Sequence, residues 1–318
     1  MRHSNYDKYP STKFEGYLVK GWEKIREELA EACSGILAVD LYSGTYEDEI
    51  ISELSVGFDK VIRTSELMKS EDEIVRMTAP FMTDDVLFGY LTNLRILDFF
   101  NVGKLEQTAE SLGHEKSKVL VIGPGASLAV PEGSLLAYVD MARWEIQQRF
   151  RRHEVKGLGV DNRSDAVSIQ YKRGLFIDWR VLDLYKDKIM DKVSFWIDTN
   201  DSANPKMIDR KTFFKGMDLT SSSPFRVVPF FDQAPWGGQW MKDVCDLDRS
   251  CPNYGWCFDC VPEENSLYFE VNGTRFELPS QDLILCRSRE VLGEIVEARF
   301  GKDFPIRFDF LDTMGGGN

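Results

Sequence analysis

Four short apolar runs, 36-ILAVDLY-42, 118-KVLVIG-123, 135-LLAYVDM-141 and 193-VSFWID-198, constrain this chain more than any other feature. Each is almost continuously apolar rather than alternating, so each fits a strand covered on both faces. Segments of helical period separate them, at 21–33, 45–54, 88–100 and 142–153. A further run, 174-GLFIDW-179, reads as another strand. This alternation predicts an α/β domain over 1–205, a parallel sheet covered by helices. Turn formers and a Thr-Ser-Ser-Ser-Pro tail follow within 199–224, which sets a linker at 206–223. From 224 to 318 short β runs dominate, interrupted by one helix over 288–300. Among them, Asn272-Gly273 between two alternating stretches is a type I′ hairpin signal.

The bulk properties narrow the function. At 318 residues the chain suits two domains. The formal charge of −13 argues against nucleic acid, whose nonspecific binding runs on positive surface. No apolar run reaches the roughly 18–20 residues that span a bilayer, so no membrane partner is expected. The first residues, MRHSNYDKYPSTKFEGY, are polar with no apolar leader core, which predicts a cytoplasmic protein. Of six cysteines, five lie after position 244. Cys257-Phe-Asp-Cys260, preceded by Cys245 and Cys251, has zinc-ligand spacing. The competing reading is reduced cysteines packed as small apolar groups, because in a strand residues three apart face opposite ways.

An open α/β sheet binds ligands at the carboxyl ends of its strands, so the turn after the first run matters most. It reads 43-SGTYEDE-49, with one glycine, no lysine and three carboxylates. A phosphate-cradling loop needs glycines followed by Lys and Ser/Thr, so phosphoryl transfer at this turn is not expected. Two later features resemble the uridine kinase and phosphoribulokinase group, over roughly residues 119–152. These are the glycine turn Gly123-Pro-Gly125-Ala-Ser127 after a buried strand, and a strand ending in Asp140 before an arginine-rich helix. The resemblance implies phosphate contacts at Gly123, Gly125, Ser127, Arg149 and Arg152. Without the likeness, the arginines equally fit a solvated helix face paired with Glu145 and Glu154.

The stretch 224–312 resembles the opening of class I, cupin-type mannose-6-phosphate isomerases. Its landmarks run in the family's order. A strand and Trp-Gly-Gly turn occupy Val227 to Gly238, and a tryptophan-bearing strand runs from Tyr254 to Pro262. A Leu-rich helix covers Leu283 to Gly293, and 304-FPIRFDFLD-312 closes the series. The resemblance implies a partial cupin and aldose–ketose isomerisation of mannose 6-phosphate and fructose 6-phosphate. It also implies a sugar-phosphate partner and zinc in the full-length family. Trp236, Gly237, Gly238 and Arg307 would line the sugar site. The family's metal ligands follow the last strand, and no histidine occurs after His153, so this chain is expected to hold no zinc by itself. It is expected to be the front portion of a longer isomerase-like protein, and open sheet edges make a homodimer an expected state. The alternatives are a non-catalytic nucleotide or sugar-phosphate binding module, and a phosphotransferase with an unorthodox phosphate loop.

Overall fold

A computed structural model describes residues 11–222 and 266–280, together with Asp243, Val244, Asp246 and Asp282. In chain order the first half holds β1 (Thr12–Phe14), β2 (Val19–Lys20), α1 (Trp22–Ala32), β3 (Ile36–Leu41), α2 (Glu47–Leu54), β4 (Lys60–Arg63), α3 (Glu71–Met82), α4 (Val102–Gly113) and β5 (Val119–Gly123). The second half holds β6 (Leu135–Asp140), α5 (Arg143–Arg151), α6 (Val167–Arg173), α7 (Trp179–Ile189), β7 (Phe195–Asp198), β8 (Lys206–Asp209), α8 (Arg210–Ser221), β9 (Ser266–Val271) and β10 (Thr274–Pro279). The chain divides into two compact units.

The larger unit, 17–141 with 145–210, is built on a seven-stranded sheet of order β2-β8-β7-β6-β3-β5-β4. The strands β4, β5, β3, β6 and β7 are parallel, and β8 pairs antiparallel with β7. Strand β3 is central because both faces are apolar: Leu37, Ala38 and Val39 are all fully buried. Around β3 lies the main core, with Ile25 and Leu29 of α1, Ile50 and Leu54 of α2, and Leu120, Ile122 and Val139 from the neighbouring strands. Two helix starts are fixed by local chemistry. Glu73 accepts from the Ser70 backbone N–H at 3.0 Å, closing a capping box on α3. The Asn101 side chain accepts from the Lys104 backbone N–H at 3.1 Å and caps α4.

Three expectations change. The run 174–179 is helical, not a strand: α6 and α7 form one continuous rod through a π-helical turn at Gly174–Asp178. Its apolar residues fall on a helical stripe, with Ile177, Val181, Leu182, Tyr185 and Ile189 buried, and a short apolar run cannot by itself separate the two periods. The segment 88–100 has no α-helix: it is mostly irregular, with one 3-10 turn at Ile96–Phe99. The stretch 206–223 is not a linker, since 206–209 is strand β8 and 210–221 is helix α8. The turn formers concentrate in 199–205 and make the connection between β7 and β8, which leaves Met207 and Ile208 free to bury.

The smaller unit carries β1, β9 and β10 in one sheet, with most of α8. Strands β9 and β10 form the expected hairpin, and Asn272 (φ 50°) and Gly273 (φ 75°) supply the two left-handed residues of a type I′ turn. The Asn272 side chain also pairs with Gly16, accepting from its N–H at 3.1 Å and donating to its carbonyl at 2.8 Å. Helix α8 approaches closely at Gly216, where a Cβ would come within 2.4 Å of the Phe269 ring. The cysteine cluster from Cys245 onward, the Trp236 turn, the 288–300 helix, Arg307 and the rest of the expected cupin strands lie outside the described residues. No described helix is long and apolar enough to cross a membrane.

Candidate functional site

The chain runs from β3 out to β4, returns to β5, and then crosses to β6 on the other side of β3. Winding therefore reverses around β3, and open α/β sheets place their ligand crevices at the carboxyl ends of strands where this happens. A cleft of about 710 Å³ opens there, within the larger unit. One wall is the turn after β3, residues 43–49; another is the segment 64–71 after β4; a third is the loop 154–161.

The 43–49 turn is held from behind. Arg149 of α5 is almost fully buried and donates to the Gly44 carbonyl at 2.9 Å and to the Thr199 carbonyl at 2.8 Å. Its Nε meets Glu145 at 3.1 Å, and its guanidinium lies over the Tyr46 ring, 3.8 Å from the centroid. Gly44 has φ 86°, and a Cβ there would come within 2.8 Å of Ile146, so only glycine lets the turn lie this close to α5. The turn's carboxylates are partly neutralised. Glu47 pairs with Lys156 at 3.0 Å and Asp48 with Arg63 at 2.9 Å. On the 154–161 wall, Arg163 holds the Asp161 carboxyl down to about 2. The Leu158 peptide is clamped at both ends: its N–H donates to Asp178 at 3.1 Å and its carbonyl accepts from Arg173 at 3.2 Å. Burial raises the Asp178 carboxyl, opposed by Arg173 at 3.3 Å.

Beneath the edge sits a buried polar network. Lys186 of α7 is fully buried and binds both oxygens of Asp140, at 3.0 and 2.9 Å. It also lies over the Tyr42 ring at 4.8 Å, and Tyr42 donates to Asp183 at 2.8 Å. Next to it, Tyr185 donates to Asp40 at 3.0 Å and hydrogen-bonds the Ser127 hydroxyl. The Ser127 backbone N–H donates to Asp40 at 3.2 Å. Burial pushes the Asp40 carboxyl up to about 6, against the lowering effect of those donors, while burial and the Asp40 charge raise the Tyr185 phenol well above its ordinary range.

These geometries place the expected phosphate contacts. Gly123 ends β5 at φ 131°, Gly125 is left-handed at φ 78°, and the turn they begin presents its N–H groups to Asp40. The nest is occupied by the protein's own carboxylate. Arg149 spends its donors on backbone carbonyls and Glu145, and Arg152 pairs with Glu154 at 2.8 Å and Glu145 at 3.0 Å. Sequence reasoning missed Lys186, Tyr185, Arg173 and Asp178, because the segment carrying them was read partly as a strand. Their mark in the sequence is four ionisable residues at positions 173, 178, 185 and 186 of an otherwise apolar helical stripe. Among the described residues no cluster of side chains could hold a metal ion.

No curated protein matches this chain. Residues 21–222, well over half of the chain and including the whole cleft, match a family described as domain of unknown function (DUF8485), and the chain belongs to that family.

Proposed function

We propose that the larger unit is a binding module for a small phosphorylated metabolite, a nucleotide or a sugar phosphate, and that it performs no phosphoryl transfer. The supporting observation is the cleft at the reversal point of the sheet, whose walls are locked by Arg149, Arg173 and Asp178 before any ligand arrives. Preordered walls cut the entropic cost of binding. Phosphoryl transfer is disfavoured because the 43–49 turn has no lysine and the glycine turn is filled by Asp40. The resemblance of 224–312 to mannose-6-phosphate isomerases supplies the wider reading: this module precedes an isomerase-type segment and senses a metabolite of the same chemistry.

Calorimetric titration of the 318-residue chain, combined with amide shift mapping, tests the module. Binding of mannose 6-phosphate, fructose 6-phosphate or a nucleotide should perturb the backbone of 43–49 and 154–161, and ATP should bind no tighter than about millimolar, near −4 kcal/mol. The chain should neither hydrolyse ATP nor interconvert the two hexose phosphates, with or without zinc. ATP turnover, or perturbations confined to other surfaces, would sink the proposal.

A further inference from the structure

The cleft carries charges of both signs. Seven carboxylates and four cations line it, but their pairing is uneven. Lys156 and Arg163 are committed to Glu47 and Asp161. The other two cations, Lys69 and Lys104, form no ion pair within 4 Å among the described residues. Both belong to one wall. The Lys69 backbone N–H donates to the Phe99 carbonyl, Asn101 N–H donates back to the Leu67 carbonyl, and Lys104 follows three residues later in the first turn of α4. Lys104 Nζ reaches across to the Glu66 carbonyl at 3.0 Å, so its ammonium sits on the same 64–69 segment that carries Lys69. The floor beside this wall contains two buried hydroxyls, Ser43 Oγ and Thr64 Oγ1, with no hydrogen-bond partner among the described residues. Glu66 and Glu71 flank the lysines on their own wall, and across the cleft the 43–49 and 154–161 walls offer five further carboxylates and Tyr46, which accept from hydroxyl groups but repel anions.

Resting on the binding-module reading, we infer that the cleft selects a polyol monophosphate, with its phosphate on the Lys69–Lys104 wall and its hydroxyls toward the 43–49 turn. The anion therefore lies on the β4–α4 side rather than on the N–H groups of the 123–127 turn, which meet Asp40. A nucleoside triphosphate fits poorly, because its chain of charges would extend from the two lysines onto Glu49, Glu66 and Glu71. A single phosphate satisfies the two ammoniums and leaves the carboxylates for hydroxyl donors.

The test compares mannose 6-phosphate, unphosphorylated mannose, inorganic phosphate and ATP by calorimetry on the whole chain. Mannose 6-phosphate should bind at least tenfold tighter than each of the other three. Lys69→Ala and Lys104→Ala should each weaken it about tenfold, while Lys24→Ala on the exposed face of α1 leaves it unchanged. Unfolding curves check that the variants remain folded. If mannose binds the cleft as tightly as its phosphate, or if both lysine variants retain full affinity, the inference falls and the binding module survives. Tighter binding of ATP also overturns it. If none of the four perturbs 43–49 or 154–161, both readings fail together.

Discussion

Two turns leave the carboxyl edge of one sheet as neighbours, and their interiors differ. The turn after β3 is open: its backbone is gripped from behind by Arg149, and its front faces a cleft. The turn after β5 is closed: its N–H groups meet Asp40, its Ser127 hydroxyl meets Tyr185, and Gly123 packs against Thr64. The closed turn satisfies its polar groups in the buried interior, whereas the open one meets its partners at the cleft rim and leaves Ser43 Oγ with no hydrogen-bond partner among the described residues. One fold edge thus provides a rigid abutment beside an open cleft, and rigidity in the first positions the second.

This contrast predicts unequal costs of substitution. The largest belongs to the network under the closed turn. Lys186→Met strands the buried Asp140 carboxylate and should cost about 3–5 kcal/mol in urea unfolding, with Asp140→Asn in the same chain recovering part of it. If Lys186→Met alone is neutral, the network does not stabilise this edge. Gly123→Ala comes next, at about 1–3 kcal/mol, because φ 131° strains any side chain and the new Cβ would lie 2.1 Å from Thr64 Oγ1. Adding Thr64→Ala removes that oxygen and should return part of the loss; strict additivity would show that the two positions are not in contact.

Asp40 gives a pH signature. Its folded carboxyl titrates near 6, above the unfolded value of about 3.9, so between these values the native state binds more protons than the unfolded one. The contribution favouring the fold is fully present below about pH 4 and is lost as pH rises through 6, by at most about 2–3 kcal/mol. The pH dependence of stability in wild type minus that in Asp40→Asn should carry this downward slope. A flat difference curve would place the Asp40 carboxyl in an ordinary environment. The smallest effect belongs to the open turn. Ser43→Ala removes a buried hydroxyl that has no partner among the described residues, so it should change stability by less than about 0.5 kcal/mol. A loss above 1 kcal/mol would mean that the open turn is as internally committed as the closed one.

The sheet was readable because β3, β5, β6 and β7 are central, and a strand buried on both faces must be apolar at nearly every position. The hairpin at 271–274 was readable because left-handed φ at two successive residues demands Asn-Gly. The rod of α6 and α7 was not, since its apolar residues at 174–179 include aromatic and β-branched side chains that satisfy a strand equally well. The cleft was half readable. The acidic character of 43–49 is plain, but Lys156 and Arg63, which neutralise two of those carboxylates, lie 109 and 15 residues away from Glu47 and Asp48. Pairing at such distances leaves no local signal. The arginine-rich face of α5 likewise reads as surface until the Gly44 carbonyl, contributed by a distant loop, is seen to receive Arg149.

The π-helical turn at 174–178 acts as a phase setter. Arg173 and Asp178, at its two ends, grip the cleft wall through Leu158, while Tyr185 and Lys186, two turns further along, grip Asp40 and Asp140. Each residue of an α-helix advances the side-chain direction by about 100°. The wide turn absorbs about one residue of winding, whereas removing a residue beyond it, between Trp179 and Tyr185, would swing Tyr185 and Lys186 by about that angle away from the sheet. The wall could then stay seated or the floor could, but not both. A one-residue deletion there should therefore be more disruptive than a deletion in any exposed loop of the unit, because it uncouples the cleft wall from its abutment.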